Sequence, residues 1–485
     1  MDLISQPFDG FISSPECDQL TNFITPQIKE NLKLQRFSKT HYQYHLSRIL
    51  LNLYQAWSSH PDKCVGISRR KNYYDSLEDM YRNRKLSYTC MTKSLDTLNE
   101  LGYLDLVLLG ERDPYLDTSF TSRYRATKTL TKLFTEYGFN QQSIIKDKTA
   151  VAVRLRGKKP KRTKKNKNPR GKLISYSPTK QTRLMTKNLK LINEVLENTE
   201  INLYLSNREM TALNKQMKSK HLEDPNDLPD INFSRKWLYR VFNEDFKRGG
   251  RFYGGFWQEI PSMYRSRLTI DHCVTWEIDF DSLHPAMLYL KEGYKKEDYL
   301  DPYQLTKFIG EKSYDSVKIP RKAIKVALNT MLNSKSYREA LGSVESSGLK
   351  PPKKYNDWKG VLKAIEEYHE PIAHHFYKAV GNELQAVDSQ IVEMVLLELI
   401  KENTIALPVH DSFRYKVKDM QLLIKKMNVA TKHYLGSELF ITLEHQALNE
   451  PPKALTTSNS NYYSRRNNFL KRFNKVEEPF EPYLL

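Results

Sequence analysis

The chain runs to 485 residues with 77 Lys and Arg against 57 Asp and Glu, a formal net charge of +20. That excess points to a polyanionic partner, nucleic acid before a membrane surface, and the length allows about two to four domains. No apolar run approaches the ~18 residues of a membrane span, no signal peptide surrounds the early Asp2, and Cys17, Cys64, Cys90 and Cys273 lack CxxC or zinc spacing, which leaves a soluble protein of a reducing compartment as the expectation.

Residues 1–38 are polar and weakly patterned and read as an N-terminal arm or a short helix. Between 40 and 58 the apolar residues Tyr44, Ile49, Leu50, Leu53 and Trp57 recur at helical spacing, and a second helical pattern covers 73–83. Ser87 or Thr89 caps a third helix with Met91, Leu95, Leu98 and Leu101 on one face, and Gly102 ends it. Strands follow at 104–109 and 123–127. Three helices and a strand pair make the order of a winged helix-turn-helix, so 39–150 is expected to be a winged-helix-like DNA-binding domain. Arg82, Arg84, Lys85 and Lys93 would meet phosphates there. The same order also serves as a protein–protein packing module.

From Arg154 to Lys172 the chain has eleven Lys or Arg and no acid, broken by Gly157, Pro160, Pro169 and Gly171. Residues 151–180 are therefore expected to be a basic flexible linker. Its Lys158, Lys159, Lys161, Arg162, Lys164 and Lys165 would track a nucleic-acid backbone, in a salt-sensitive and sequence-independent way. A solvated spacer is the plainer alternative.

Helical patterns at 184–197 and 207–218 lead into a segment, 249–257, in which four glycines alternate with aromatics around Arg251. Such a backbone suits close approach to a ligand, with Arg251 reaching a nucleic-acid strand. Two later stretches share one design. In 277–289 a strand carries Asp279 to its end and turns through Ser282 and Pro285 into an apolar helix. In 404–417 a strand brings His410 and Asp411 to a turn before a second strand leaves. Each Asp alone also reads as a turn former. Together they suggest a site for two divalent ions: Mg²⁺ takes few carboxylates, and a metal pair clamps both oxygens of an in-line displacement.

Glu277 and Asp281, two residues either side of Asp279, are candidate supporting ligands or salt-bridge partners. Between the two stretches, Ile319-Pro320 starts a helix on which Arg321 and Lys325 share a face able to hold a triphosphate, or simply a basic surface. His374 and His375 lack a metal pattern and are expected on a helix surface. Gln390 opens an apolar helix over 391–400, from which it would reach template or primer.

Taken in order, Gly250-Arg251, Ile260-Pro261, Arg265, Asp279, Arg321 with Lys325, Gln390 and Val409-His410-Asp411 resemble the motifs of family A DNA polymerases over about 235–447. The closing helix near 420–434 and strand at 439–444 are similar too. There are departures. Asn329 and Asn333 stand where that family has aromatics, and Lys325-x-x-x-Asn329-Thr330 resembles family B, as does Asp279-Phe-x-Ser-Leu-x-Pro285. His284 takes the place of a Glu or Tyr that excludes the ribose 2′-hydroxyl, and His410-Asp-Ser-Phe413 resembles the phage-type single-subunit RNA polymerases.

The resemblance implies an α+β fold: a right-hand-type palm with an antiparallel sheet, helical fingers and short thumb-like helices over 181–450, then a C-terminal tail, 451–485. It implies a DNA-directed DNA polymerase adding dNTPs to a primer 3′-hydroxyl, with Asp279, Asp411 and the Phe280 carbonyl holding two Mg²⁺, or Mn²⁺ in their place. Arg321, Lys325, His284 and Asn329 would meet the nucleotide; Arg251, Arg265, Gln390 and His410 would meet primer–template DNA. No carboxylate-rich exonuclease pattern precedes these motifs, so no proofreading is expected. The expected setting is phage or mobile-element replication, in the nucleoid or an infected cell's cytoplasm, with other replication proteins as partners. An RNA polymerase or primase-like enzyme acting with RNA, and a non-catalytic winged-helix initiator, are the alternatives.

Overall fold

Two apolar cores organise the chain, one built by residues 12–144 and the other by residues 152–439. The structure is a computed structural model, and it describes residues 5–33, 37–75, 79–110, 112–113, 118–119, 121–161, 169–220, 231–298, 301–303 and 318–444. It is a mixed α/β protein whose strand pairings are mostly antiparallel. Among the described residues no helix is long and apolar enough to cross a membrane.

The N-terminal core gathers β1 (Ser5–Pro7), α1 (Pro15–Leu32), α2 (Lys39–Ser59), β2 (Cys64–Ile67), α3 (Lys71–Asp75), α4 (Tyr88–Glu100), β3 (Leu104–Leu108), β4 (Ser122–Ala126) and α5 (Lys128–Glu136). The sheet order is β1, β2, β4, β3, with β1 and β2 parallel. Of the two readings of the N-terminal segment, the arm gives way to a helix, and the helix is long and packed into the core. Cys17, Leu20, Ile24 and Ile28 form a helical stripe of α1 that is wholly buried, and the polar residues between them mask that stripe in the linear sequence. The helix expected over 73–83 is also corrected. Its described part is α3, Lys71–Asp75, the described residues 79–83 are not helical, and the Arg82 guanidinium, paired with Asp79, donates to the carbonyls of Asn72 and Tyr73. Arg82 is thereby committed to this turn, while Arg84 and Lys85 are exposed. The third helix is α4, capped by the Ser87 hydroxyl, which accepts from the Cys90 N–H; Gly102, at φ +72°, supplies the left-handed residue that ends it.

At 153–156 the expected linker is instead a strand. Val153 and Leu155 are buried and alternate with Arg154 and Arg156 in β5 (Val153–Arg156), the strand period carrying apolar residues inward. β5 runs parallel to β7 (Tyr239–Asn243), which pairs antiparallel with β8 (Asp245–Tyr253). The chain then returns on itself: Gly157 N–H donates to Lys172 O at 2.8 Å and Ile174 N–H to Leu155 O at 2.9 Å. Lys158, Lys159 and Lys161 are exposed just beyond the point where 157 and 172 are hydrogen-bonded together. Arg162, Lys164 and Lys165 lie outside the described residues, as does the expected C-terminal tail.

The second core is bounded by α6 (Lys180–Glu197) and a larger sheet in the order β6 (Ile201–Leu203), β9 (Leu268–Ile270), β10 (Cys273–Phe280), β12 (Ser412–Lys416), β11 (Leu407–Val409), with β13 (Ile441–Glu444) also pairing to β10. α7 (Leu283–Lys291), α8 (Lys318–Asn333), α9 (Gly381–Lys401) and α10 (Met420–Leu435) supply the helices used below. α9 packs on β8, where Arg240 of β7 is fully buried and donates to Gly250 O, Glu393 and Ser389. A buried charge is stable only when compensated in this way.

Candidate active site

β10 and β12 pair antiparallel with Ile278 opposite Phe413, and β11 and β12 pair with Val409 opposite Ser412. His410 and Asp411 are therefore the two residues of a tight hairpin turn, with His410 at φ +60°. Continuing the register places Asp411 beside Phe280, one residue beyond Asp279. The sequence places each carboxylate at a strand end; the sheet brings the two ends together.

The pair is electrostatically tense. Burial, and then the charge of Asp411, push the Asp279 carboxyl up to about 7, although the Phe280 amide and the Lys325 charge oppose the rise. Asp279 Oδ1 is buried with no hydrogen-bond partner. Two neighbouring carboxylates with an orphaned oxygen are a hard-oxygen donor set that fits a divalent cation such as Mg²⁺ or Mn²⁺, and a cation would remove the repulsion that raises the pKa. Asp281, exposed, is bonded to the Thr442 hydroxyl. Glu277 accepts from Ser412 at 2.9 Å and pairs with Arg265 at 3.4 Å and Arg414 at 3.5 Å. Of the two candidate flanking ligands, Glu277 has the salt-bridge fate.

Asp388, which no sequence motif marks, anchors the other side. It is fully buried on α9 and receives Arg251 through Nε at 3.0 Å and Nη2 at 2.5 Å, and His284 Nε2 at 3.0 Å. Arg251 Nη2 also lies 3.6 Å from Asp411 Oδ1. Gly250 makes this possible: at φ +86° its missing Cβ would stand 2.6 Å from the Phe242 ring. Only a glycine lets β8 come this close while presenting Arg251 to α9. A carboxylate inside the apolar pattern of 384–400 is the available signal, since buried acids demand partners.

The expected nucleic-acid residues divide. Arg251 is mostly buried and held by Asp388 while still reaching Asp411. Arg265 is turned onto Glu277 and the Ile260 carbonyl. Gln390 is corrected too: α9 starts nine residues before it, so it lies mid-helix and only 3% exposed. His410 is exposed at the hairpin.

On α8, Lys325 is exposed, Asn329 is half-buried one turn on, and Arg321 lies 3.6 Å from Asp301 with its guanidinium 4.8 Å from the Tyr303 ring centroid. Tyr303, equally unmarked in the sequence, is buried, hydrogen-bonded to the Ser282 side chain and within the field of Asp411. It links Arg321 to the start of α7.

Two other clusters have metal-like membership. In His41–His45–Cys90, His45 has both nitrogens engaged, by the His41 carbonyl and the Ser87 N–H. In the other, His374 and His375 share Glu292 Oε1 at 3.2 and 2.8 Å. His375 is buried, which corrects the surface expected for it, whereas His374 is exposed.

In comparison with known proteins, the chain matches no family model and no curated protein.

Proposed function

We propose that the chain is a template-directed nucleic-acid polymerase of two-metal type, whose second core acts as a right-hand-type palm with α8 in the fingers position. The observation that carries this reading is the junction of Asp279 and Asp411 at one end of an antiparallel sheet, with an orphaned carboxylate oxygen and Lys325 within electrostatic reach. Two divalent ions held there by Asp279, Asp411 and the Phe280 carbonyl would supply charge neutralisation and polarise the reacting oxygens.

The chain's own residues do the positioning. Lys325 and Arg321, one turn apart on α8, take the triphosphate and offset the charge of departing pyrophosphate. Asp388 holds Arg251 against the hairpin and fixes His284 at the start of α7, so both side chains are preorganised before a nucleotide arrives. His284, in the place of a sugar gate, favours deoxyribonucleotides by bulk. Lys158, Lys159 and Lys161, exposed beside the hydrogen-bonded 157–172 pair, supply phosphate contacts to primer–template DNA.

Primer extension on a recessed DNA duplex with Mg²⁺, supplying deoxy- and ribonucleotides separately beside an Asp411→Ala control, tests the reading. Extension by the wild type with dNTPs, abolished in the control, is the expected result. Faster extension with ribonucleotides would move the enzyme to the RNA polymerase class. No extension with either sugar, on primed and unprimed templates alike, would overturn the polymerase reading and favour a DNA-binding initiator.

A further inference from the structure

A cavity of about 930 Å³ lies between the two cores, lined on one side by residues 5–12 with Tyr73, Tyr74 and Tyr81, and on the other by Arg154, Arg235, Trp237, Tyr239 and Gly254. Seven Lys or Arg and three acids line it. Two of the cations are neutralised by acids of the lining, Lys146 by Asp9 and Arg235 by Glu259. Arg154 makes no salt bridge among the described residues. Its guanidinium sits 3.7 Å from the Tyr239 ring centroid and 5.7 Å from that of Trp237.

From this cavity a row of rings leads to the hairpin. Trp237 and Tyr239 have centroids 5.9 Å apart, Tyr239 and Tyr253 6.2 Å, and Tyr253 and His410 6.4 Å. Tyr239 and Tyr253 are direct cross-strand partners on β7 and β8. Gly254, at φ +113°, permits the close approach of Tyr253 and Gly254 to the Trp237–Tyr239 segment, because a Cβ there would lie 2.5 Å from the Trp237 carbonyl oxygen. Tyr253 is 37% exposed and His410 is exposed at the turn. The positive charge of Arg170, two residues before the Lys172 that Gly157 holds, reaches the Tyr253 hydroxyl.

Aromatic rings in line, with cations beside them, are what an unpaired strand binds: bases stack on π-faces without regard to sequence while the backbone follows the charge. Duplex nucleic acid has its bases stacked internally and offers such a row nothing. We propose that Trp237, Tyr239, Tyr253 and His410, with Arg154 and Arg170 alongside, form a single-strand path that carries unpaired nucleic acid from the inter-core cavity to the Asp279–Asp411 site. The direction of travel rests on the polymerase reading; the binding does not.

The test is fluorescence anisotropy of labelled 20-mer oligothymidylate and oligouridylate with the full-length protein, without Mg²⁺ or nucleotides, against a blunt duplex of the same length. Tyr253→Ala and Arg154→Gln are expected to weaken single-strand binding at least about fivefold each, with duplex binding changed less and Tyr253→Phe restoring affinity. Stronger binding of the thymidylate strand would assign the path to DNA, of the uridylate strand to RNA. Single-strand affinity within twofold of wild type in both variants would overturn the proposal, as would a preference for the duplex.

Should a variant fail to fold, photocrosslinking of a halogenated oligonucleotide to the wild type decides. Crosslinks are expected in peptides carrying Trp237, Tyr239, Tyr253 or His410, and crosslinks confined to other peptides would overturn the path. Single-strand binding without primer extension would leave the path and sink the polymerase reading; extension with Tyr253→Ala binding normally would sink only the path.

Discussion

His45 and Asp279 are ionisable groups inside the two cores, and their surroundings are opposite. His45 is fully buried on α2, its Nδ1 bonded to the His41 carbonyl and its Nε2 accepting the Ser87 N–H, both at 2.8 Å. Burial holds its pKa down to about 4. Every polar atom of the ring is used by the fold. Asp279 has a buried oxygen that nothing uses and a like charge next to it. The first arrangement stabilises the neutral form and, with it, the N-terminal core. The second costs stability in the isolated chain, and groups so perturbed cluster where chemistry is done.

Removing the tension should therefore damage function and spare the fold. Asp279→Asn or Asp411→Asn is expected to lower primer extension by up to about a thousandfold, with a thermal midpoint no lower than wild type. Extension rates and melting curves on the same preparations check this, and a variant that melts early but still extends would erase the contrast.

Asp388 behaves as fold and site at once. Asp388→Ala strands Arg251 and His284 beside a buried hole, and urea unfolding is expected to show a destabilisation of about 3 kcal/mol together with impaired extension. Unchanged stability would mean that Asp411 can replace Asp388 as the Arg251 partner.

In the N-terminal core the contrast is read by pH. His45 titrates near its ordinary 6.5 when unfolded and about 4 when folded, so between those values the unfolded chain binds more protons. Its contribution is complete above pH 6.5 and is lost as pH falls toward 4, by about 3 kcal/mol. His45→Gln should flatten that part of the stability profile, and an unaltered slope would assign the acid sensitivity elsewhere. The smallest effect belongs to the exposed lysines. Replacing Lys158, Lys159 and Lys161 with Ala should reduce the salt slope of DNA affinity by about 0.7–0.9 for each phosphate no longer neutralised.

What can be read in the sequence follows the same division. Asp279, Asp411, Arg321 and Lys325 stand out because local patterns, strand then turn or helix after Ile-Pro, already place them. Asp388 does not: its partner Arg251 is far away in the chain, and only the packing of α9 on β8 joins them. β5 is hidden because the alternation of Val153 and Leu155 is short and drowned in lysines. Gln390 is misplaced by equating an apolar run with the whole helix, although α9 begins with the more polar 381–389.

The central claim, that Asp279 and Asp411 form a cation-binding pair, is tested most directly by Mn²⁺ titration followed by electron paramagnetic resonance. The protein would hold a primer–template ended in a dideoxynucleotide together with the next dNTP, so that no bond can form. Tight Mn²⁺ binding by the wild type, reduced in both Asp279→Asn and Asp411→Asn, is the predicted result. Equal Mn²⁺ binding by the wild type and both variants would contradict it.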